Sequence, residues 1–344
     1  MHDVANTSRR RLLQAAAIGA VAKFGMAVSA HAQSAAQPGT SGANDSFGTL
    51  KQIEAGLLDV GYAEAGPANG PAVILLHGWP YDIHSYVEVA PLLAAAGYRV
   101  IVPHLRGYGT TRFLSADTFR NGQQAAMAAD LIALMDALKI GQAILAGYDW
   151  GARIANIAAA LWPERCKAMV SASGYLIANL EQNKRPLPPA AEYSWWYQFY
   201  FATERGRLGY EENRRDFARL IWRTASPQWN FDDATFNRNA AAFDNPDHVD
   251  IVIHNYRWRQ NLAAGEPHYD DLERRLAESP VIHVPTITVE GDANGAPHAA
   301  DPAAYRGKFA GKYAHRLLAG GIGHNPPQEA PRAFAQAVIE VDSL

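Results

Sequence analysis

One cysteine in 344 residues, Cys166, has no second thiol in the chain to pair with. That excludes an intrachain disulfide and a thiolate cluster around a metal. Charge is scarce as well: charged residues make up 19% of the chain, the formal net charge is −3, and no basic face or acidic tail stands out. Nucleic acid and anionic membrane surfaces are therefore poor partners. A membrane-spanning helix needs about 20 continuous apolar residues. The weakly apolar run from Ala15 to Ala30 is shorter and is broken by Lys23. The sequence has no phosphate-cradling glycine loop, so no cofactor and no metal is expected.

What is present begins with a leader. Ser8-Arg9-Arg10-Arg11-Leu12-Leu13-Gln14 resembles a twin-arginine export motif, and Ala30-His31-Ala32 matches a small-x-small cleavage site. The expectation is a signal peptide over 1–32, cleaved near Ala32, with Gln33 as the first mature residue. The resemblance implies export of a folded protein to a bacterial periplasm or beyond, with no stable membrane anchor after processing. Residues 33–48 are rich in Ser, Ala, Gly and Gln and read as a linker.

The rest alternates short β-branched runs with longer alanine- and leucine-rich ones. Strands are expected at Ala72–Leu76, Tyr98–Val102, Gln142–Ala146, Ala168–Val170 and Thr286–Val289. Helices are expected over 122–139, from Ala152 to Leu161, and from Pro331 onward. This alternation predicts an α/β fold with a mostly parallel sheet covered on both faces. From about 176 to 275 the pattern changes to helical runs crowded with Trp, Tyr, Arg and Asn. A core domain over 49–175 and 276–344, interrupted by a helical cap over 176–275, is expected.

Gly147-Tyr148-Asp149-Trp150-Gly151 lies between a strand and a helix. It has the form of a nucleophile elbow with aspartate at the reactive position. A carboxylate is a poor nucleophile toward an amide or ordinary ester. It can displace a leaving group from saturated carbon, forming an alkyl-enzyme ester that water then cleaves. The bland alternative is an aspartate that only caps the following helix.

From about residue 50 to its C-terminus the chain resembles the α/β-hydrolase family, and within it the epoxide hydrolases and haloalkane dehalogenases. The resemblance rests on His77-Gly78-Trp79-Pro80, Arg106-Gly107-Tyr108-Gly109, the Asp149 elbow, and Gly323-His324 followed by Gln328-Glu329-Ala330-Pro331, all in the family's order. It implies the α/β-hydrolase fold with a helical cap. His324 would be the base that activates water, and the N–H groups of Trp79 and Trp150 the oxyanion donors. His77 would be structural. The acid behind the histidine is expected at Asp292, the nearest carboxylate in Gly291-Asp292-Ala293-Asn294-Gly295. The family often carries its acid about where Asn294 stands. If Asp292 points away, Asn294 could orient the histidine but would stabilise its cation less well. The alternative acid position, near Ser171 and Ser173, offers no carboxylate.

Opening an epoxide leaves an alkoxide that needs a hydrogen-bond or proton donor, a task suited to phenols. The segments around Tyr197 and Tyr256 are similar to those carrying the acid tyrosines of epoxide hydrolases. Tyr200 is the substitute candidate and a possible substrate contact. The cap's aromatic content suggests a small, apolar substrate. A haloalkane dehalogenase is the first rival, but Trp79 stands where many of those carry Asn. A haloacid dehalogenase is another. Arg153 falls where one of its carboxylate-binding arginines does, but the other falls at position 150, here Trp. A non-catalytic binding protein on the same scaffold is the rival of another class.

Overall fold

The structure is a computed structural model describing residues 46–299 and 301–344. The expected leader, 1–32, and nearly all of the expected linker, 33–48, lie outside the described residues.

Among the described residues the chain forms a nine-stranded sheet: β1 Lys51–Ala55, β2 Leu58–Ala65, β3 Ala72–Leu76, β4 Arg99–Pro103, β5 Arg112–Phe113, β6 Ala143–Gly147, β7 Cys166–Ala172, β8 Thr286–Gly291 and β9 Tyr313–Leu318. The spatial order is β1-β2-β4-β3-β6-β7-β8-β9, with β5 paired to β2. From β4 to β9 every pairing is parallel, while β2 runs antiparallel to β1, β4 and β5. The central strands are apolar along their whole length because both faces are covered. β6 is buried at all of its positions, and β3 at all but its first.

The core helices are α1 Val89–Ala95, α2 Gln124–Ala137, α3 Trp150–Leu161, α11 Ala303–Arg306, α12 Pro326–Glu329 and α13 Pro331–Val341. α2 packs with α3, and α1 with α13. The strands read from β-branched runs and the helices read from spacing match these elements to within a few residues. β1 and β2 escape that reading because Lys, Glu, Gly and Ala dilute their pattern.

Between β7 and β8 the only regular elements are helices and one isolated bridge residue, Ile282: α4 Leu180–Asn183, α5 Pro189–Ser194, α6 Trp196–Phe201, α7 Glu204–Ala225, α8 Asp233–Ala240, α9 His248–Arg259 and α10 Asp270–Ala277. Polar ties dock this insertion on the core. Trp222 Nε1 donates to Pro80 O at 2.8 Å. Tyr210 accepts from Trp79 Nε1 at 2.9 Å and donates to His248 Nε2 at 2.9 Å, while His248 Nδ1 donates to Gly107 O at 2.9 Å. Burial then holds His248 neutral, its pKa pushed down to about 3.

Candidate active site

The carboxyl ends of β3, β6, β7 and β8 converge, which is where open α/β sheets carry their sites. Asp149 follows β6 directly, with φ 52° and ψ −122°, in a region that side chains other than glycine rarely enter. The turn holds because its neighbours lack side chains. A Cβ on Gly151 would sit 1.9 Å from Leu76 O, and one on Gly78 would sit 2.5 Å from Asp149 Cβ. The elbow lifts the carboxylate to the edge of the sheet, leaving it 20% exposed.

Trp79 N–H donates to Asp149 Oδ1 at 2.8 Å, and His324 Nε2 lies 3.5 Å from Oδ2. Trp150 is the first residue of α3, so its N–H has no acceptor within the helix. Burial would raise the Asp149 carboxyl. The His324 contact, the charge of Arg153 and the Trp79 N–H together hold it below the ordinary carboxylate value. His77 bonds loop backbone: Nδ1 donates to Gly78 O at 3.0 Å, and Nε2 accepts from Leu105 N at 3.2 Å. Burial pushes its pKa down to about 4.

The expected acid needs correcting. Asp292 does not meet His324. Its carboxylate accepts from Gly320 N, Gly321 N and Ile322 N at 2.9, 2.9 and 3.0 Å. Three convergent amides outcompete one imidazole, so Asp292 shapes the glycine loop. The histidine meets Asn294, with Nδ1 3.2 Å from Oδ1. The amide's orientation is fixed on both sides, since Oδ1 accepts from Ala296 N at 3.0 Å and Nδ2 donates to Glu290 Oε1 at 2.7 Å. His324 Nδ1 must then carry the proton, leaving Nε2 as the basic nitrogen facing Asp149.

Glu290 was missed by the sequence reading. It is buried, its Oε2 has no partner, and His298 Nε2 lies 3.7 Å from Oε1. Its signal was a lone charge at the end of an otherwise uncharged buried strand. Glu329 is the other missed group. It accepts from Gly323 N at 2.6 Å, Asn325 N at 3.0 Å and Ser226 Oγ at 2.6 Å, and Ser226 Oγ accepts from His324 N at 2.9 Å. The histidine loop is thus bracketed on both sides, with burial raising the Glu329 carboxyl against those bonds.

Across from Asp149 the cap brings Tyr197 and Tyr256 together, ring centroids 5.4 Å apart and edge to face. Both rings pack on Trp79, at 5.2 and 5.1 Å. Burial, and then the Asp149 charge, push Tyr197 up to about 12. Burial drives Tyr256 well above the ordinary phenol value. Tyr200 is a second correction. It stacks on Phe217 at 6.0 Å, with its hydroxyl against Gly209, because that side of α6 packs on α7. A cleft of about 480 Å³ lined by Gln123, Leu180, Trp258 and Glu273 includes none of the groups around Asp149. Among the described residues no three His, Cys, Asp or Glu side chains form a metal-holding group.

A family profile described as alpha/beta hydrolase fold matches residues 71–209. The chain is 35% identical over 151 residues to epoxide hydrolase B of Mycobacterium tuberculosis, covering 40% of this chain and 42% of that protein. It thus spans about two fifths of the length of the curated relatives it matches. The crystal structure of a candidate epoxide hydrolase from Klebsiella pneumoniae superposes with a TM-score of 0.86 at 64% identity, covering 87% of this chain and 98% of that one. A second candidate epoxide hydrolase, from Pseudomonas aeruginosa, shares the fold with a TM-score of 0.71 at 22% identity, covering 85% of this chain and 94% of that one.

Proposed function

The chain belongs to the α/β-hydrolase family, on its epoxide-hydrolase-like branch, and we propose that it opens epoxides to diols through an ester on Asp149. The observation that carries this reading is a carboxylate at the elbow, bonded by the Trp79 N–H at 2.8 Å and faced by His324 Nε2 at 3.5 Å.

An Asp149 oxygen attacks an epoxide carbon, and the carbon–oxygen bond of the ring breaks. Tyr197 and Tyr256 hold the ring oxygen, and one of them gives it a proton. Their raised pKa values keep both phenols protonated at neutral pH. Water then loses a proton to His324 Nε2 and attacks the ester carbonyl. The N–H groups of Trp79 and Trp150 hold the oxyanion. Collapse expels the alcohol oxygen, which takes the proton from His324. The regenerated Asp149 carboxyl loses its own proton, and a proton returns to the phenolate. The sum is epoxide plus water giving diol.

His324 becomes a cation in the hydrolytic step. Asn294 fixes its tautomer, and Glu290 supplies negative charge one amide further back. This differs from a direct carboxylate–histidine pair.

The test is one turnover in heavy-oxygen water. Label entering the Asp149 carboxyl supports the ester route, and its absence refutes it. His324→Gln should alkylate and stall, with the adduct on Asp149 by peptide mass spectrometry. Running haloalkanes beside epoxides and scoring halide against diol tests the dehalogenase alternative. We also propose export. The twin-arginine-like segment Ser8–Gln14 supports it. Cell fractionation tests it, and a cytoplasmic protein retaining residues 1–32 would count against it.

A further inference from the structure

Arg153 stands one helical turn past the nucleophile, its backbone N–H donating to Asp149 O at 3.0 Å. The residue is 8% exposed, and its Nε donates to Leu176 O at 2.9 Å. Arg259, the last residue of α9, approaches from the cap. Its Cζ lies 4.9 Å from the Trp195 ring and 5.7 Å from the Tyr256 ring, and its Nε is buried without a bond. Among the described residues neither guanidinium has a carboxylate within ion-pair distance. Other arginines with buried or half-buried side chains do: Arg106 pairs with Asp130 at 2.6 Å, and Arg257 with Glu204 at 2.9 Å.

The two cations serve one site. Both act on Tyr197 and on Tyr256. Arg153 has its pKa pushed down to about 10 by burial and then by Arg259, with Asp149 opposing. With Asp149 ionised, the three groups sum to one positive charge. A neutral epoxide leaves that imbalance in place, and alkylation does not relieve it, because the charge lost from Asp149 reappears on the phenolate. Such an imbalance is costly between aromatic walls. An anionic group on the substrate would bring the bound complex to zero. Guanidinium forks suit carboxylate oxygens.

We propose that the substrate is an epoxide bearing a carboxylate, which docks between Arg153 and Arg259 while Asp149 attacks the ring. The inference rests on the epoxide reading and narrows its substrate class. It also revises the sequence argument that Trp150 removes the second arginine of a carboxylate clamp. Here the second arginine comes from the cap.

The experiment uses the full chain and two probes of like shape, a 2,3-epoxycarboxylate and its primary amide. Wild type should favour the carboxylate by about tenfold or more in kcat/KM, and Arg259→Gln should cut that ratio by about tenfold. Arg259→Lys keeps the charge without the fork and should restore part of it. Equal kcat/KM on the two probes, or a ratio unmoved by Arg259→Gln, overturns the inference and leaves the epoxide reading standing. Calorimetric titration of Asp149→Asn with the same compounds reads binding without turnover. Tighter binding of the carboxylate, lost with Arg259→Gln, supports the subsite even if neither probe is hydrolysed, and in that event only the epoxide reading fails. Equal binding of both probes overturns the subsite.

Discussion

Replacing Glu290 by Gln isolates the charge that stands behind His324. Gln keeps an oxygen to accept from Asn294 Nδ2, so the amide chain to His324 Nδ1 is preserved. Glu290 Oε1 bonds Asn294 at 2.7 Å and Asn294 bonds the imidazole at 3.2 Å, so across one amide the carboxylate lies no more than about 8 Å from the ring. At an effective dielectric of about 20, unit charges at that separation interact by about 2 kcal/mol. That stabilisation exists only when His324 is protonated, which is the charge state of the hydrolytic transition state. Ester hydrolysis should therefore slow by about 30-fold, while alkylation changes by less than about threefold. Rapid quench with intact-mass detection should show the alkyl-enzyme accumulating. A folded Glu290→Gln variant with unchanged hydrolysis would refute the coupling.

Asp292→Asn should leave kcat within about threefold of wild type, whereas Asn294→Ala should lower it by about tenfold or more through the hydrolytic step, as steady-state kinetics on the two variants will read. With Tyr197 raised to about 12 and Tyr256 well above the ordinary phenol value, alkylation measured by stopped-flow Trp fluorescence should stay flat from about pH 8 to about pH 10. A fall centred at or below about pH 10 would remove these phenols as the acid. His77, His104 and His248 are buried with pKa values of about 4, 3 and 3 against 6.5 for an exposed ring. Below 6.5 the unfolded chain binds more protons than the fold does, so stability falls as pH falls from there toward the folded values. Each ring should cost about 2 kcal/mol by about pH 5, and a melting temperature that does not drop between about pH 7 and pH 5 would contradict it.

The elbow carboxylate and the histidine that faces it were legible for a local reason. An elbow has to be tight, so its glycines and its reactive residue sit within five positions, and the strand before it and helix after it have clear periodicities. The histidine was legible because it follows the last strand of the same frame. The acid was not. Asp292 is the nearer carboxylate by count, but the three amides of residues 320–322 claim it in space. Asn294 reaches the imidazole only because Glu290 and Ala296 pin its amide. Tyr197 and Tyr200 are three residues apart on one short helix, and only the packing of α7 against Tyr200 decides which of them faces the site.

The sequence by itself determined the elements and the carboxylate at the elbow, because hydrophobic period and a glycine-flanked turn act over a few residues. It also placed the candidate cap tyrosines, by resemblance. Tertiary structure alone decided which side chain meets the histidine, which arginine of the cap lies against Tyr256, and which tyrosine faces inward. Those outcomes depend on competition among groups far apart in the chain, settled by charge and hydrogen bonding once the cap closes over the strand ends.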